Sequence, residues 1–256
     1  MAEKTVLITG AAGGIGQAVV KRFAGDKNFK RIVLIDHPSK RERMVYGSVA
    51  AKTSAMSCEY SFRYLDLADP SVHQLMAQLA ASCKKIDVLV NTAGVAQEFG
   101  ALIKTDLEKA RKVMEINFWG TLQMCYAVLP YMRSAGYGRI VNISSIAARH
   151  GDAGNLIYAA SKAAIESLTK TLAREATFNK DGAPFDITVN AVAPGIIDTD
   201  MAKLLSDKVK EAYSRGNPCG RLGSPEEVAK VIYWLATGAP QYLTGEIIRV
   251  DGGFLA

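Results

Sequence analysis

Apolar residues along this 256-residue chain fall into two patterns that alternate from end to end. Short aliphatic and β-branched runs at 5–9, 31–35, 60–64, 86–90, 139–143, 187–192 and 246–250 read as strands. Most lack polar alternation, which marks strands buried on both faces. Helical patterns lie between them at 17–24, 39–57, 71–83, 107–133, 156–177 and 225–236. Strands alternating with helices predict an α/β fold, a doubly wound parallel sheet of seven strands in a single domain over 1–256. Ser224-Pro225-Glu226-Glu227 has the serine and proline of a helix start.

Composition changes this picture little. Apolar residues at 49% and charged residues at 22% describe an ordinary globular chain. No run of apolar residues reaches the length of a membrane span, and the N-terminus passes into a strand without a signal-peptide layout. Cys58, Cys83, Cys125 and Cys219 form no Cys-x-x-Cys or Cys/His cluster, so no metal site is expected. A reduced, cytoplasmic chain is the expectation. The net charge is +6, and residues 1–63 hold 11 Lys and Arg against 5 Asp and Glu, so the whole surplus sits there. It could draw in an anionic cofactor or simply be a solvated surface. Nothing in the charge pattern suggests nucleic acid.

Candidate chemistry lies at the strand ends. After the first strand comes Gly10-Ala-Ala-Gly13-Gly14-Ile15-Gly16, then a helix. Strand, glycine turn and helix start make an anion site, with backbone N–H groups and the helix dipole aimed at a pyrophosphate. Asp36 ends the second strand, where a carboxylate can accept both adenosine-ribose hydroxyls of NAD and would repel the 2′-phosphate of NADP. His37, Lys40, Arg41 and Arg43 follow it and could meet a phosphate instead. Tyr158 and Lys162 are four apart on a helix and so share a face. A cation beside a phenol is expected to lower the tyrosine pKa and make a general acid/base usable near neutrality. Alone, such a pair more often means a packed ring and a solvated charge. Ser145, at a strand end thirteen residues earlier, can return to the tyrosine.

Together, Thr9-Gly-x-x-x-Gly-x-Gly16, Ser145 and Tyr158-x-x-x-Lys162 resemble the short-chain dehydrogenase/reductase family, in its 3-oxoacyl reductase-like and hydroxysteroid dehydrogenase-like branch. The likeness runs essentially end to end. It implies a Rossmann-type fold and an NAD(H)-dependent oxidoreductase that interconverts a secondary alcohol and a ketone. It implies Asn117, Ser145, Tyr158 and Lys162 as the catalytic set, with Asn117 holding a relay water. For the cofactor it adds Asp66, Leu67, Asn91, Ala93, Gly94, Pro194, Gly195, Ile197 and Thr199 to the glycine turn, Asp36, Tyr158 and Lys162. The side chain of Asn91 is expected to tie strand ends together. Thr92 departs from the family, where a second asparagine is common. The likeness further implies a substrate lid at about 196–219 and a homotetramer built on the helices at 107–133 and 156–177. Residues 95–99 and 146–155 should wall a small-molecule carbonyl or alcohol pocket, with Arg149 and His150 expected in solvent. Two rival readings are an NADPH-dependent reductase of 3-oxoacyl thioesters on a carrier protein, and a non-catalytic dinucleotide-binding protein.

Overall fold

A computed structural model describes residues 3–42, 58–69, 71–83, 85–180 and 182–256. Most of the helical pattern expected at 39–57, including Arg43, lies outside these residues, as do Pro70, just before the helical pattern at 71–83, and Asp181. Among the described residues seven strands form: β1 (Lys4–Thr9), β2 (Phe29–Asp36), β3 (Glu59–Tyr64), β4 (Val88–Asn91), β5 (Tyr137–Ile143), β6 (Asp186–Pro194) and β7 (Ile247–Val250). They make one sheet in the order β3-β2-β1-β4-β5-β6-β7, with every pairing parallel. The principal helices are α1 (Gly14–Ala24), α2 (Val72–Ser82), α3 (Leu107–Met114), α4 (Gly120–Ala135), α5 (Leu156–Thr177), α6 (Asp207–Gly216) and α7 (Pro225–Thr237). The doubly wound sheet expected from the alternating runs is the observed fold.

The central strand runs are largely apolar because there is a core on each side of them. Val6, Ile8, Ile32, Leu34, Val88 and Val90 pack with Val19 and Phe23 of α1 and Val228 and Ile232 of α7. Their neighbours Leu7, Val33, Ile35, Leu89 and Ile140 pack on the other face with Met76 of α2, Val128 of α4 and Leu172 of α5. Successive side chains point to opposite faces, so β1, β2, β4, β5 and β6 each feed both cores, while the edge strands β3 and β7 pack on the first only. Fully burying one aliphatic side chain contributes about 1.5–3 kcal/mol, more than strand propensity supplies, so burial holds the sheet.

Two local features matter for the site. The expected long helix at 107–133 is two helices, α3 and α4, joined by a π-helical turn at Glu115–Trp119. At the start of α7, Ser224 Oγ accepts from Glu227 N at 3.3 Å while Ser224 N donates to Glu227 Oε2 at 2.8 Å, a reciprocal cap. Arg221 also grips Glu227, and chiefly for that reason the carboxyl pKa falls to about 2.

Candidate active site

Strand order reverses between β1 and β4. Crossovers leave to opposite faces at such a point and open a crevice at the carboxyl ends of the strands. Here the crevice is a cleft of about 460 Å³. Its floor is backbone. Gly10 has φ 65°, and a Cβ there would lie 2.6 Å from Ala93 N. A Cβ on Gly14 would meet Thr199 Cγ2 at 2.5 Å, so a larger residue would displace that wall. The first turn of α1 holds no acidic residue, and Gly13 at its cap has no side chain to satisfy the free N–H groups. Such a helix start suits a phosphate. Gly10, Gly13, Gly14, Ile15, Gly16, Asp36, Asp66, Leu67, Ala93, Gly94 and Thr199 all line the cleft.

Asp36 stands at one end of it. Its Oδ2 accepts from Ala12 N and its Oδ1 from His37 N, each at 2.8 Å. The carboxylate is thereby fixed with lone pairs still facing the cleft. His37 Nδ1 accepts from Ser39 N at 3.2 Å, while Nε2 lies 3.5 Å from Asp66 Oδ2. A glycine floor, an uncapped helix start and a fixed carboxylate at one end fit a dinucleotide.

Some expected cofactor residues lie elsewhere. Asn91 does not line the cleft; it is 2% exposed, and its Nδ2 donates to Asn142 Oδ1 at 2.9 Å, tying β4 to β5. Pro194, Gly195 and Ile197 are also outside the walls. Gly195 N is held by Val250 O, and the Ile197 side chain is spent in the core. The departure at Thr92 has a use, since its hydroxyl donates to Thr9 O and joins the ends of β1 and β4.

At the other end of the cleft, Gly94 is all that separates it from Asn117 and Lys162. A Cβ on Gly94 would lie 3.3 Å from Asn117 Oδ1 and 3.4 Å from Lys162 Nζ. Lys162 is 3% exposed and donates to Ile143 O at 2.9 Å. Loss of water lowers its ammonium pKa to about 8. Lys162 Nζ stands 5.7 Å from the centre of the Tyr158 ring. The Ser145 side chain stands close enough to the Tyr158 phenol to act on its ionisation. Helix α5 and the β5 end thus bring Ser145, Tyr158 and Lys162 together as expected.

The direction expected for the phenol is corrected. Burial raises the Tyr158 pKa above its ordinary value, and the neighbouring Ser145 side chain only partly opposes this. Spacing alone reveals a nearby cation but not the loss of water that weakens the phenolate and the ammonium alike.

A sequence profile described as enoyl-(acyl carrier protein) reductase matches residues 10–255. The chain belongs to the short-chain dehydrogenase/reductase family. It is an NAD(P)-dependent oxidoreductase acting on CH–OH and C=O groups. It is 34% identical over 250 residues to the 3-oxoacyl-[acyl-carrier-protein] reductase FabG of Aquifex aeolicus, covering 98% of this chain and 96% of that one. The structure of ElxO with NADP bound superposes with a TM-score of 0.83 at 32% identity, covering 99% of each chain. A 3-oxoacyl-[acyl-carrier protein] reductase from Brucella melitensis with bound NAD gives 0.84 at 30% identity, covering 100% of this chain and 92% of that one.

Several residues of this dehydrogenase/reductase escaped the sequence reading. Lys112 and Ile116 line the cleft from α3 and the π turn. Their spacing of four was the available signal. Ser161 accepts from Asn117 Nδ2 at 3.0 Å and donates to Tyr158 O at 2.7 Å. Arg149 and His150 are exposed, as expected, although Arg149 also donates through Nε to buried Glu166 at 3.1 Å. His150 is likewise paired, with Asp152 at 2.6 Å, and its ring meets that of Phe254.

Proposed function

We propose that this chain interconverts a secondary alcohol and a ketone with NAD(H) as the preferred dinucleotide. The supporting observation is the meeting of the glycine-floored cleft with Ser145, Tyr158 and Lys162 across Gly94. NAD(P), when bound, supplies or takes the hydride. Tyr158 gives or takes the proton on the substrate oxygen. Burial keeps its phenol protonated at neutral pH, the form that donates to a carbonyl oxygen. Ser145 donates a hydrogen bond to the same oxygen and steadies the charge that develops there. Lys162 uses one donor on Ile143 O and has two more to offer a ribose hydroxyl. Asn117 Oδ1 accepts from Val95 N at 2.8 Å and keeps a lone pair for the relay water.

The preference for NAD is supported by Asp36, which accepts ribose hydroxyls and repels a 2′-phosphate. A second reading, an NADPH-dependent reductase of 3-oxoacyl thioesters, draws support from what the relatives are called. His37, Ser39 and Lys40, which line the same end of the cleft, also support it. We further propose that residues 196–219 form a substrate lid. A homotetramer is supported by large apolar side chains left uncovered on α3, α4 and α5, with Leu107, Tyr126 and Leu156 exposed at 72%, 78% and 50%.

The test is a panel of simple ketones, secondary alcohols and acetoacetyl thioesters assayed with each dinucleotide. Catalytic efficiency with NAD(H) should exceed that with NADP(H) by about tenfold or more, roughly 1.4 kcal/mol. Tyr158→Phe should lose at least ~10² in turnover while still binding NAD(H). An acetoacetyl thioester working best with NADPH would put the second reading first. Near-normal turnover by Tyr158→Phe would remove the role given to the phenol.

A further inference from the structure

A helix start leaves N–H groups without partners, and a side chain at the cap position ordinarily takes one or two of them. The helix bearing Tyr158 is built differently. Asn155, at its cap position, makes no side-chain capping bond, and its first turn holds no acidic residue. The acceptor comes instead from about sixty residues away. Gln97, in the segment after β4, accepts through Oε1 from Ile157 N at 2.7 Å and from Tyr158 N at 2.9 Å. Its Nε2 donates to Gly154 O at 3.0 Å, and Gly100 N donates to the same carbonyl at 3.1 Å.

The other side of the segment is held equally firmly. Val95 N donates to Asn117 Oδ1 at 2.8 Å, and Asn117 Nδ2 donates to Val95 O at 3.0 Å. Asn117 Nδ2 also reaches Ser161 Oγ, which donates to Tyr158 O at 2.7 Å. The backbone of Tyr158 is therefore pinned at its N–H by Gln97 and at its C=O by Ser161. Gln97 belongs to the strap that carries Gly94 and Val95 along the cleft, and Ser161, on α5 itself, is tied to that strap through Asn117.

We propose that Gln97 is a positioning residue for Tyr158: its amide closes the start of α5 and sets where the phenol stands relative to Ser145 and the cleft. This rests on the reading of Tyr158 as the proton donor. A misplacement of the order of 1 Å at a reacting group can cost ~10²-fold in rate, so a cap on this one residue has leverage that a cap elsewhere lacks.

The test compares Gln97→Met, which keeps length and volume but has neither acceptor nor donor, with Gln97→Glu, which keeps the acceptor, adds a charge and likewise loses the donor to Gly154 O. The probe is acetoacetyl thioester reduction by NADH, beside NADH binding by fluorescence. Gln97→Met should lower kcat by ~10- to 100-fold with NADH affinity unchanged. Gln97→Glu should recover part of that loss, because Oε1 remains although the donor to Gly154 O is gone. A carboxylate beside Tyr158 N should also raise the phenol pKa by about half a pH unit or more. Ultraviolet titration, taken as the difference between each protein and the same protein carrying Tyr158→Phe, reads that pKa without any substrate. A merely structural cap would lower thermal stability in Gln97→Met and leave kcat per folded site unchanged, and that result overturns the proposal. An unmoved phenol pKa in Gln97→Glu does so too, and this arm decides if Gln97→Met fails to fold. If Tyr158→Phe alone keeps its turnover, the reading of Tyr158 has failed; if it loses turnover while both Gln97 variants behave as wild type, only the role of Gln97 has failed.

Discussion

Lys162 carries a charge the fold would rather not hold, and that cost can be measured. Its ammonium has a pKa of about 8, against an ordinary 10.5, and burial is the cause. Below pH 8 the folded chain must keep a buried lysine charged. Each pH unit between the two values corresponds to about 1.4 kcal/mol, so at pH 7 the penalty is roughly 3 kcal/mol. Between about 8 and 10.5 the unfolded chain binds the proton more tightly than the folded one. In that window stability rises with pH and the penalty disappears. Lys162→Met removes the charge and nearly keeps the volume. Relative to wild type the variant should therefore do best at pH 7. Its advantage should shrink by about 2.5 kcal/mol by pH 10, where only the tail of the penalty remains. The assay is urea denaturation of both proteins at the two pH values, without nucleotide and at one protein concentration, since any ligand or partner bound to the folded form shifts stability. A difference between the proteins that does not move with pH would refute the claim that Lys162 is held charged out of water.

Asp36→Ala should narrow or reverse the preference for NAD, as read by catalytic efficiency with each dinucleotide, because the carboxylate fixed by Ala12 N and His37 N is removed. Ser224→Ala breaks one half of the reciprocal cap on α7 and should cost about 1 kcal/mol in denaturation, with kinetics unchanged. Light scattering at micromolar concentration should give a homotetramer, and a Tyr126→Glu change on the exposed side of α4 should weaken it; a monomeric wild type would contradict the assembly.

What was legible in the sequence follows from periodicity. The central strands, buried on both faces, read as near-continuous apolar runs, and all seven strands overlap the runs expected for them. The glycine turn and Asp36 were legible because a strand, a turn and a helix start leave few other uses for such residues. Asn117 was legible through the family resemblance, since the π turn that houses it has no pattern of its own. Gln97 gave no signal. A glutamine in a loop looks the same whether it is solvated or caps a helix sixty residues away, and only tertiary structure brings the two together. The raised pKa of Tyr158 was hidden for a related reason, since spacing places a charge but not the surrounding water.

The extra residue in the π turn has a consequence for how this chain can change length. An α-helix advances about 100° per residue, so one residue too many between α3 and α4 leaves their faces out of phase by that angle. Lys112 and Ile116 face the cleft, and Asn117 is wholly buried, only in this offset arrangement. Deleting a single residue between Glu115 and Trp119 would let α3 run smoothly into α4. The shortened rod would be a better helix, yet one half of it would be turned away from either the core or the cleft. An added or lost residue is therefore cheap in a surface connection, while in this stretch it would re-phase both helices.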